Sequence, residues 1–342
     1  MKTLQPILAT LAAVIALAFF SIALTNCKTR GKAEQSETET FEETLSKADQ
    51  GETELDGKTR GKAEQSKTET FEETRTKAEQ GNADAQFNLG DCYYIGRGVA
   101  KNEAEAVKWY RLAAEQGFAK AQFKLGICYY QGKGMVKNDA EYAQWVRKAA
   151  DQGHAAAQLI HGAGYLQGVG LEKNEAEAVE WFRKAAVQEN SDAQSDAQLL
   201  LGDCYANGQG VAKDEAEAVK WWRKAAEQEN AVAQYNLGVC YANSKGVVKN
   251  EAEAMKWYRK AAVQGDKEAQ FSLGESYDKC ESVPKKNLLA YQWYLLASAN
   301  GNETARENVP KLEAKLTAEQ RAEGQRLATE WQAAFEKRQV EK

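Results

Sequence analysis

The stretch Ala83-Asp-Ala-Gln-Phe-Asn-Leu-Gly-Asp-Cys-Tyr-Tyr94, followed beyond Gly96 and Gly98 by Glu103-Ala-Glu-Ala-Val-Lys-Trp-Tyr-Arg-Leu-Ala-Ala-Glu-Gln-Gly117, decides the fold. In its first half Gln86, Leu89 or Gly90, and Tyr93 recur at helical spacing, which predicts a helix, here helix A. Gly96 and Gly98 break it. Asn102 with Glu105 three residues later is a capping-box pattern that opens a second helix, helix B, and Gly117 terminates that helix.

Outward from this stretch the pattern repeats. Aligned on the Leu-Gly step, glycines stand at Gly90, Gly126, Gly162, Gly202, Gly238 and Gly274, spaced by 36, 36, 40, 36 and 36 residues. A fixed period of this size means stacked supersecondary units. The units run 82–117, 118–153, 154–189, 190–229, 230–265 and 266–301. The long fourth unit contains the duplicated tetrapeptide Ser191-Asp-Ala-Gln-Ser-Asp-Ala-Gln198. Four residues nearly complete a turn, so a longer helix is expected whose downstream face rotates by only about 40°. The cap pattern recurs at Asn138/Glu141, Asn174/Glu177, Asp214/Glu217 and Asn250/Glu253, whereas Asn287 is followed by Ala290. Trp109, Trp145, Trp181, Trp221, Trp257 and Trp293 share one slot of helix B and are expected to form a core ladder.

Composition agrees with one long array of helices. The 342 residues are 43% hydrophobic and 28% charged, with only 3 Pro. With 45 basic against 50 acidic residues there is no positive excess to neutralise a phosphate backbone, which argues against nucleic acid as a partner. Two histidines, seven residues apart on one helix, are too distant to share a metal, and no CxxC spacing suggests zinc.

The N-terminus is separate. Ile7 to Thr25 is almost wholly apolar, somewhat long for a secretory signal and just long enough to span a bilayer. Leu24-Thr25-Asn26-Cys27 resembles the bacterial lipobox, with Cys27 the lipidation candidate, although Asn26 departs from the small residue expected there. Residues 1–27 thus read as a lipoprotein signal, an uncleaved anchor or a cleaved signal peptide, and length alone does not choose. Export to the envelope of a bacterium, on the periplasmic side, is the favoured location. Lys28, Arg30 and Lys32 outweigh Lys2 and keep a cytoplasm-facing anchor open. Residues 28–51 recur as 58–81 with 20 of 24 positions identical. Segment 28–70 is too poor in bulky apolar residues to fold alone and is expected to be a largely disordered tether. Segment 71–81 ends like a helix B and is expected to dock as a half-repeat.

The motif Ala-Gln-x-x-Leu-Gly-x-x-Tyr, then Gly-x-Gly-Val-x-Lys-Asn/Asp, then Ala-x-x-Trp-Tyr/Phe-Arg-Lys-Ala-Ala-x-Gln-Gly closely resembles the Sel-1-like repeats, relatives of the tetratricopeptide repeat. The resemblance covers all six units. It implies an all-α fold, a right-handed α/α solenoid whose helices A line a concave protein-binding side. Residues 302–342 resemble the terminal cap of bacterial members: one helix over Ala305–Leu316, then a second opened by Thr317-Ala-Glu-Gln320 and carrying Leu327, Trp331 and Phe335. The cysteine-rich branch of the family cross-links successive helices through cysteines eight apart. Here those slots hold, for example, Ala114 and Gln122. Cys92, Cys128, Cys204 and Cys240 share a helix-A slot and read as small buried residues.

The slots of helix A that vary between units mark where packing does not dictate the residue. They nominate Ile127, Ile160, Leu200 and Val239 as an apolar floor, bordered by Lys124, Asp203, Asn207, Asn236 and Asn243, for an extended or helical peptide. The function implied is a non-catalytic interaction scaffold for proteins or peptides, held at the membrane through its N-terminus, with no cofactor and no small-molecule substrate. The alternatives are a passive spacer, or an envelope hydrolase like the cysteine-rich relatives associated with β-lactam binding. For the hydrolase only the lone Ser282-Val-Pro-Lys285 fits, without its supporting elements.

Overall fold

The computed structural model describes residues 70–188, 191–279 and 284–340. Among them are 15 helices and no strand, the architecture of an all-α solenoid. Helix α1 (Phe71–Glu79) precedes the A/B pairs α2 (Ala83–Ile95) and α3 (Glu103–Glu115), α4 (Ala119–Gln131) and α5 (Asp139–Asp151), and α6 (Ala155–Gln167) and α7 (Glu175–Ala186). The fourth pair is α8 (Asp192–Asn207) and α9 (Glu215–Glu227), the fifth α10 (Ala231–Asn243) and α11 (Glu251–Val263), the sixth α12 (Lys267–Asp278) and α13 (Pro284–Ala299). Helices α14 (Glu303–Glu313) and α15 (Ala318–Val340) follow. The described chain falls into two compact units, 70–212 and 213–340. The apolar run 7–25, the segment 28–69, Cys27 and Cys280 lie outside the described residues. No helix among those described is long and apolar enough to cross a membrane.

Helix B begins as its caps dictate, with one departure. The Asn102 side chain accepts from the Glu105 N–H at 3.1 Å, and Asn138, Asn174, Asp214 and Asn250 cap in the same way. The reciprocal half of the expected box does not form, because the Asn102 N–H already donates to the Tyr93 carbonyl of helix A at 2.8 Å, as Asn138 does to Tyr129 and Asn174 to Tyr165. The freed glutamates turn elsewhere: Glu105 to Lys108, Glu217 to Lys220, and Glu141 to the Trp145 indole N–H. Helix α13 starts at Pro284, so Asn287 lies inside it rather than capping it.

In the first unit, the glycine of each Leu-Gly step exists because a helix-B side chain rests on it. A Cβ at Gly90 would come within 2.6 Å of the Tyr110 ring, and at Gly126 or Gly162 within 2.7 Å of Val146 or Phe182. These residues, one past the tryptophan, are the fully buried ones, while Trp109 is only half-buried. The expected tryptophan ladder is mixed: Trp145, Trp181 and Trp293 are buried in the core, whereas Trp109, Trp221 and Trp257 are half-buried at its rim. Its outer faces are covered by cations one turn on, Lys148 Nζ lying 3.8 Å from the Trp145 ring centre and Lys184 Nζ 3.6 Å from that of Trp181. The second glycine of each Gly-x-Gly joins neighbouring repeats. Gly134 sits against the Glu103 carbonyl and Gly170 against the Asp139 carbonyl so closely that any Cβ would overlap the backbone.

A buried glutamine ladder also ties repeat to repeat. Gln86, Gln122 and Gln158 each donate to a carbonyl at the end of the preceding helix B, on Ala78, Ala114 and Ala150 at 3.1–3.2 Å. Their own carbonyl oxygens accept from Gln116 at 2.7 Å and Gln152 at 2.6 Å in their own repeats. In the long repeat, α8 has 16 residues and both Gln194 and Gln198 reach the Ala186 carbonyl, so the duplicated tetrapeptide adds a turn without losing the bond. Repeat three departs from the pattern at His161, which replaces the buried leucine. Its ring stands edge-on to Tyr165 and Trp181, both at 5.0 Å, and its Nε2 has no hydrogen-bond partner. Burial, with Arg147 and Lys184 against it and Asp151 opposing, pushes its pKa down to about 4.

The second unit uses the same devices. Tyr258 and Tyr294 lie on Gly238 and Gly274, and Gln234 and Gln270 donate to the carbonyls of Ala226 and Ala262 at 3.1 and 3.2 Å. Lys224 and Lys260 cover Trp221 and Trp257. Helix α15 closes the unit, with Trp331 edge-on to Trp293 at 6.0 Å and stacked on Phe335. The box Thr317/Gln320 that opens it has both bonds, at 3.0 and 3.2 Å. Asp266, the N-cap of α12, accepts from the Ala269 N–H at 2.6 Å with Oδ1, but its buried Oδ2 has no partner. Burial, with Glu268 adding to it, raises its pKa to about 7.

Two expectations follow. Gly170→Ala has φ +66 and a backbone carbonyl in its way, whereas Gly117→Ala has φ +88 and open space. Urea unfolding should show a loss of about 1 kcal/mol for Gly117→Ala from the left-handed backbone alone, and about 3 kcal/mol or more for Gly170→Ala. The titrations of His161 and Asp266 run in opposite directions. Below about pH 6.5 the unfolded histidine takes a proton that the folded one refuses until about pH 4, so stability is lost on acidification through that window. Asp266 holds its proton in the folded state up to about pH 7 while the unfolded carboxyl releases it near 4, so stability is lost as pH rises between them. Hence His161→Leu should stabilise more at pH 5 than at pH 7.5, and Asp266→Asn more at pH 8 than at pH 5. Equal effects at both pH values would refute either assignment.

Candidate partner-binding face

Helices A present the slots nominated as the partner face. In the first unit, Leu200 and Asp203 on α8 are half-buried and Asn207 at its end is exposed. Lys124 and Ile127 on α4 and Ile160 on α6 are enclosed, with exposures of 5%, 1% and 0%. The floor expected from Ile127 and Ile160 is therefore closed. For Ile160 the reason is visible in the stacking, since α6 and α8 lie directly against one another. In the second unit, Val239 is half-buried and Asn243 exposed on α10, while Asn236 is 6% exposed. Asn243 donates to the Val239 carbonyl at 3.0 Å, which holds its amide along the helix.

The tyrosine that follows each cysteine of helix A could have been taken for part of this face. Instead, at four of the repeats, the arginine two residues past a tryptophan reaches the tyrosine of this slot from the preceding helix B. Arg111 donates to the Tyr129 hydroxyl at 2.9 Å and Arg183 to that of Tyr205 at 2.8 Å. In the second unit Arg223 donates to Tyr241 and Arg259 to Tyr277, at 2.7 and 2.6 Å. These pairs are a clamp between repeats, visible in sequence as an Arg and a Tyr eighteen residues apart, or twenty-two across the insertion. Of the variable slots, Leu200, Asp203, Asn207, Val239 and Asn243 keep accessible surface, whereas Asp91 accepts from the buried Tyr110 hydroxyl at 2.6 Å. Ile95, at the end of α2 and 49% exposed, belongs to the same set.

The candidate chemical groups are sequestered. Cys92, Cys128, Cys204 and Cys240 are buried, and burial raises the Cys204 and Cys240 thiols to about 12, far from a reactive thiolate at neutral pH. His154 caps α6, its Nδ1 accepting from the Ala157 N–H at 3.2 Å, and stacks on Phe123. Among the described residues no group of three or more His, Cys, Asp or Glu could hold a metal ion. Ser282 lies outside the described residues.

Comparison with known proteins agrees with the geometry. The Sel1 repeat model matches residues 83–118, 119–154, 155–189, 195–230, 231–266 and 267–302. A Sel1 repeat protein from Oxalobacter formigenes is 38% identical, with 64% of this chain and 86% of that chain aligned and a TM-score of 0.57. The c5321 protective antigen of uropathogenic Escherichia coli, described as displaying an SLR fold, is 27% identical over 97% of this chain and 87% of that one, at a TM-score of 0.37. No curated protein matches the sequence. Six matched repeats spanning most of the chain, built on the glycine, glutamine and arginine–tyrosine contacts described above, place it in the Sel1 repeat family, whose members generally mediate protein–protein interaction.

Proposed function

We propose that this protein is a non-catalytic scaffold that binds a protein or peptide on its helix-A faces and is held in the bacterial envelope through its N-terminal segment. The observation that carries the reading is the contrast between fixed and free slots. The Gln, Leu and Gly positions of helix A are consumed by the core and the ladder, while the slots that keep accessible surface carry Leu200, Asp203 and Asn207 in one repeat and Val239 and Asn243 in another. Accessible slots that differ from repeat to repeat favour a sequence-specific partner. Leu200 supplies apolar contact and Asp203 and Asn207 polar contact in the first unit, as Val239 and Asn243 do in the second. Lys124, Ile127, Ile160 and Asn236 support the face from beneath. Buried thiols and a buried, proton-poor histidine favour binding over catalysis. The apolar run and Cys27 support tethering by a lipid or an anchor.

The test is capture of partners from the native envelope by the full chain, with Leu200→Asp and Asn207→Lys in one variant and Val239→Asp and Asn243→Lys in another. Each should lower retention of a specific partner at least tenfold at an unchanged unfolding midpoint. Lysine at Val136 and Val248, exposed loop positions away from helix A, should leave retention unchanged. Retention of every partner by both face variants would overturn the reading. Palmitate incorporation lost in Cys27→Ala would support the lipid tether, and its absence from the unaltered chain would remove it.

A further inference from the structure

Departures from the repeat motif gather at one joint of the first unit, between α5 of repeat two and α6 of repeat three. The joints on either side are regular. Arg111 holds Tyr129 between repeats one and two and Arg183 holds Tyr205 between repeats three and four, and the leucine slot of helix A there holds the fully buried Leu125 and Leu201. At the middle joint Arg147 turns back to Asp151 on its own helix, at 3.7 Å, while Tyr165, the tyrosine in its register, stands edge-on to His161. His161 fills the leucine slot with a ring only 1% exposed, whose Nε2 has no hydrogen-bond partner. Gly164 replaces the buried cysteine. Tyr142 on α5, fully buried where the other repeats have alanine, brings its hydroxyl to 3.6 Å from where a Cβ on Gly164 would lie. The ladder bond from Gln158 to the Ala150 carbonyl is kept, but Gln188 lies 3.5 Å from the Gln158 oxygen, against 2.6 Å for Gln152 and Gln122 one repeat earlier. At the ends of these helices the buried oxygens Gln131 Oε1, Asp139 Oδ1 and Gln167 Oε1 also lack hydrogen-bond partners.

We propose that the first unit opens locally at this joint, α5 parting from α6 while the joints on either side stay closed, and that acid drives the opening by charging His161. Each repeat of an array is held by its neighbours alone, so a joint that lacks the clamp and encloses unsatisfied polar groups opens before the regular ones. A missing clamp bond and a buried nitrogen without a partner make that opening at least about tenfold easier. Acid adds to it. In the closed joint burial, aided by Arg147 of α5 and Lys184 of α7 and opposed by Asp151 of α5, lowers the pKa of His161 to about 4, and among the described residues α8, which also packs on α6, brings no charge to bear on it. In an open joint water reaches the ring, which then takes its proton near its ordinary value of about 6.5. Closure is therefore lost as pH falls between these values, and opening is roughly 30-fold more favoured at pH 5 than at pH 7.5. The device depends on neither the partner nor the tether proposed above.

Thiol labelling of the full chain with a dithiodipyridine, which reacts at acid as well as neutral pH, reads each joint separately. Cys128 reports the joint between repeats one and two and Cys204 that between repeats three and four, and Gly164→Cys places a thiol in the same slot of the middle joint. With each rate taken relative to the unfolded chain at the same pH, the introduced thiol should react at least about tenfold faster than Cys128 and Cys204 at pH 7.5. At pH 5 that advantage should grow roughly a further 30-fold, and with His161→Leu added it should be the same at both pH values. Equal labelling of the three sites at both pH values would overturn the weak joint. Growth at pH 5 that persists with leucine at position 161, or a histidine NMR signal of His161 titrating near 6.5 in the folded chain, would overturn the acid drive. Acceleration of all three sites together at pH 5 would mean that the unit unfolds as a whole, which overturns local opening. Should Gly164→Cys lower the unfolding midpoint, Ala150→Cys on the α5 side of the same joint is read in the same way.

Discussion

Helix B closes on a buried alanine whose carbonyl accepts twice, once from the residue that ends the turn, as Ala114 does from the Gly117 N–H at 3.0 Å, and once from the next repeat. The glutamine of the next helix A supplies that second bond, and the glutamine or asparagine at the end of its own repeat's helix B donates to the glutamine's oxygen, as Asn300 does to Gln270 at 2.9 Å. One side chain thus joins two repeats and both helices of one. The bond requires helix A to approach the preceding helix B at a fixed height, which the second glycine of Gly-x-Gly allows by presenting no Cβ to the carbonyl beneath it. The insertion in repeat four shows the strength of the constraint: four residues were added, and the motif that donates the bond was added with them.

Much of this was legible because the repeats are copies. Period, helix ends and the lengthened α8 follow from glycines, cap residues and the duplicated tetrapeptide. What was not legible depended on which of two adjacent residues faces inward. Trp109 and Tyr110 are neighbours on one helix, and hydrophobicity alone favours the larger ring for the core, yet only the Tyr110 slot lies over the Leu-Gly glycine. The capping glutamates were misassigned for a similar reason. Sequence shows that Glu105 can reach the Asn102 N–H but not that the Tyr93 carbonyl has already taken it. Among the candidate face residues, Leu200, Asp203, Asn207, Val239 and Asn243 are accessible at least in part. The variability that nominated Lys124, Ile127, Ile160 and Asn236 carried no information about their enclosure.

The departures from the motif concentrate where the array has something to lose. His161 puts a polar ring in a leucine slot, and Asp266 puts a carboxyl where Asn82 and Asn230 cap the equivalent helices, each an uncompensated buried polar atom. Because the two groups lose stability in opposite directions of pH over nearly the same window, one in each unit, their effects offset one another in the whole chain and show separately in each unit. In repeat arrays local stability is a sum of unit and neighbour terms, so such sites lower the cost of opening a repeat without unfolding the rest.

The same arithmetic bears on how a solenoid acquires specificity. The motif leaves little of each repeat uncommitted: the glutamine is in the ladder, the tyrosine hydroxyl is held by arginine, the lysine lies on the tryptophan and the cysteine is buried. What remains on helix A is a few partly accessible slots, such as Leu200, Asp203 and Asn207 in one repeat and Val239 and Asn243 in another. Recognition by such a surface is necessarily distributed, a few weak contacts from several repeats rather than one deep pocket. Distributed recognition suits an extended partner that can span successive helices, and it suits a small substrate poorly, because no single repeat gathers enough groups around one reacting atom.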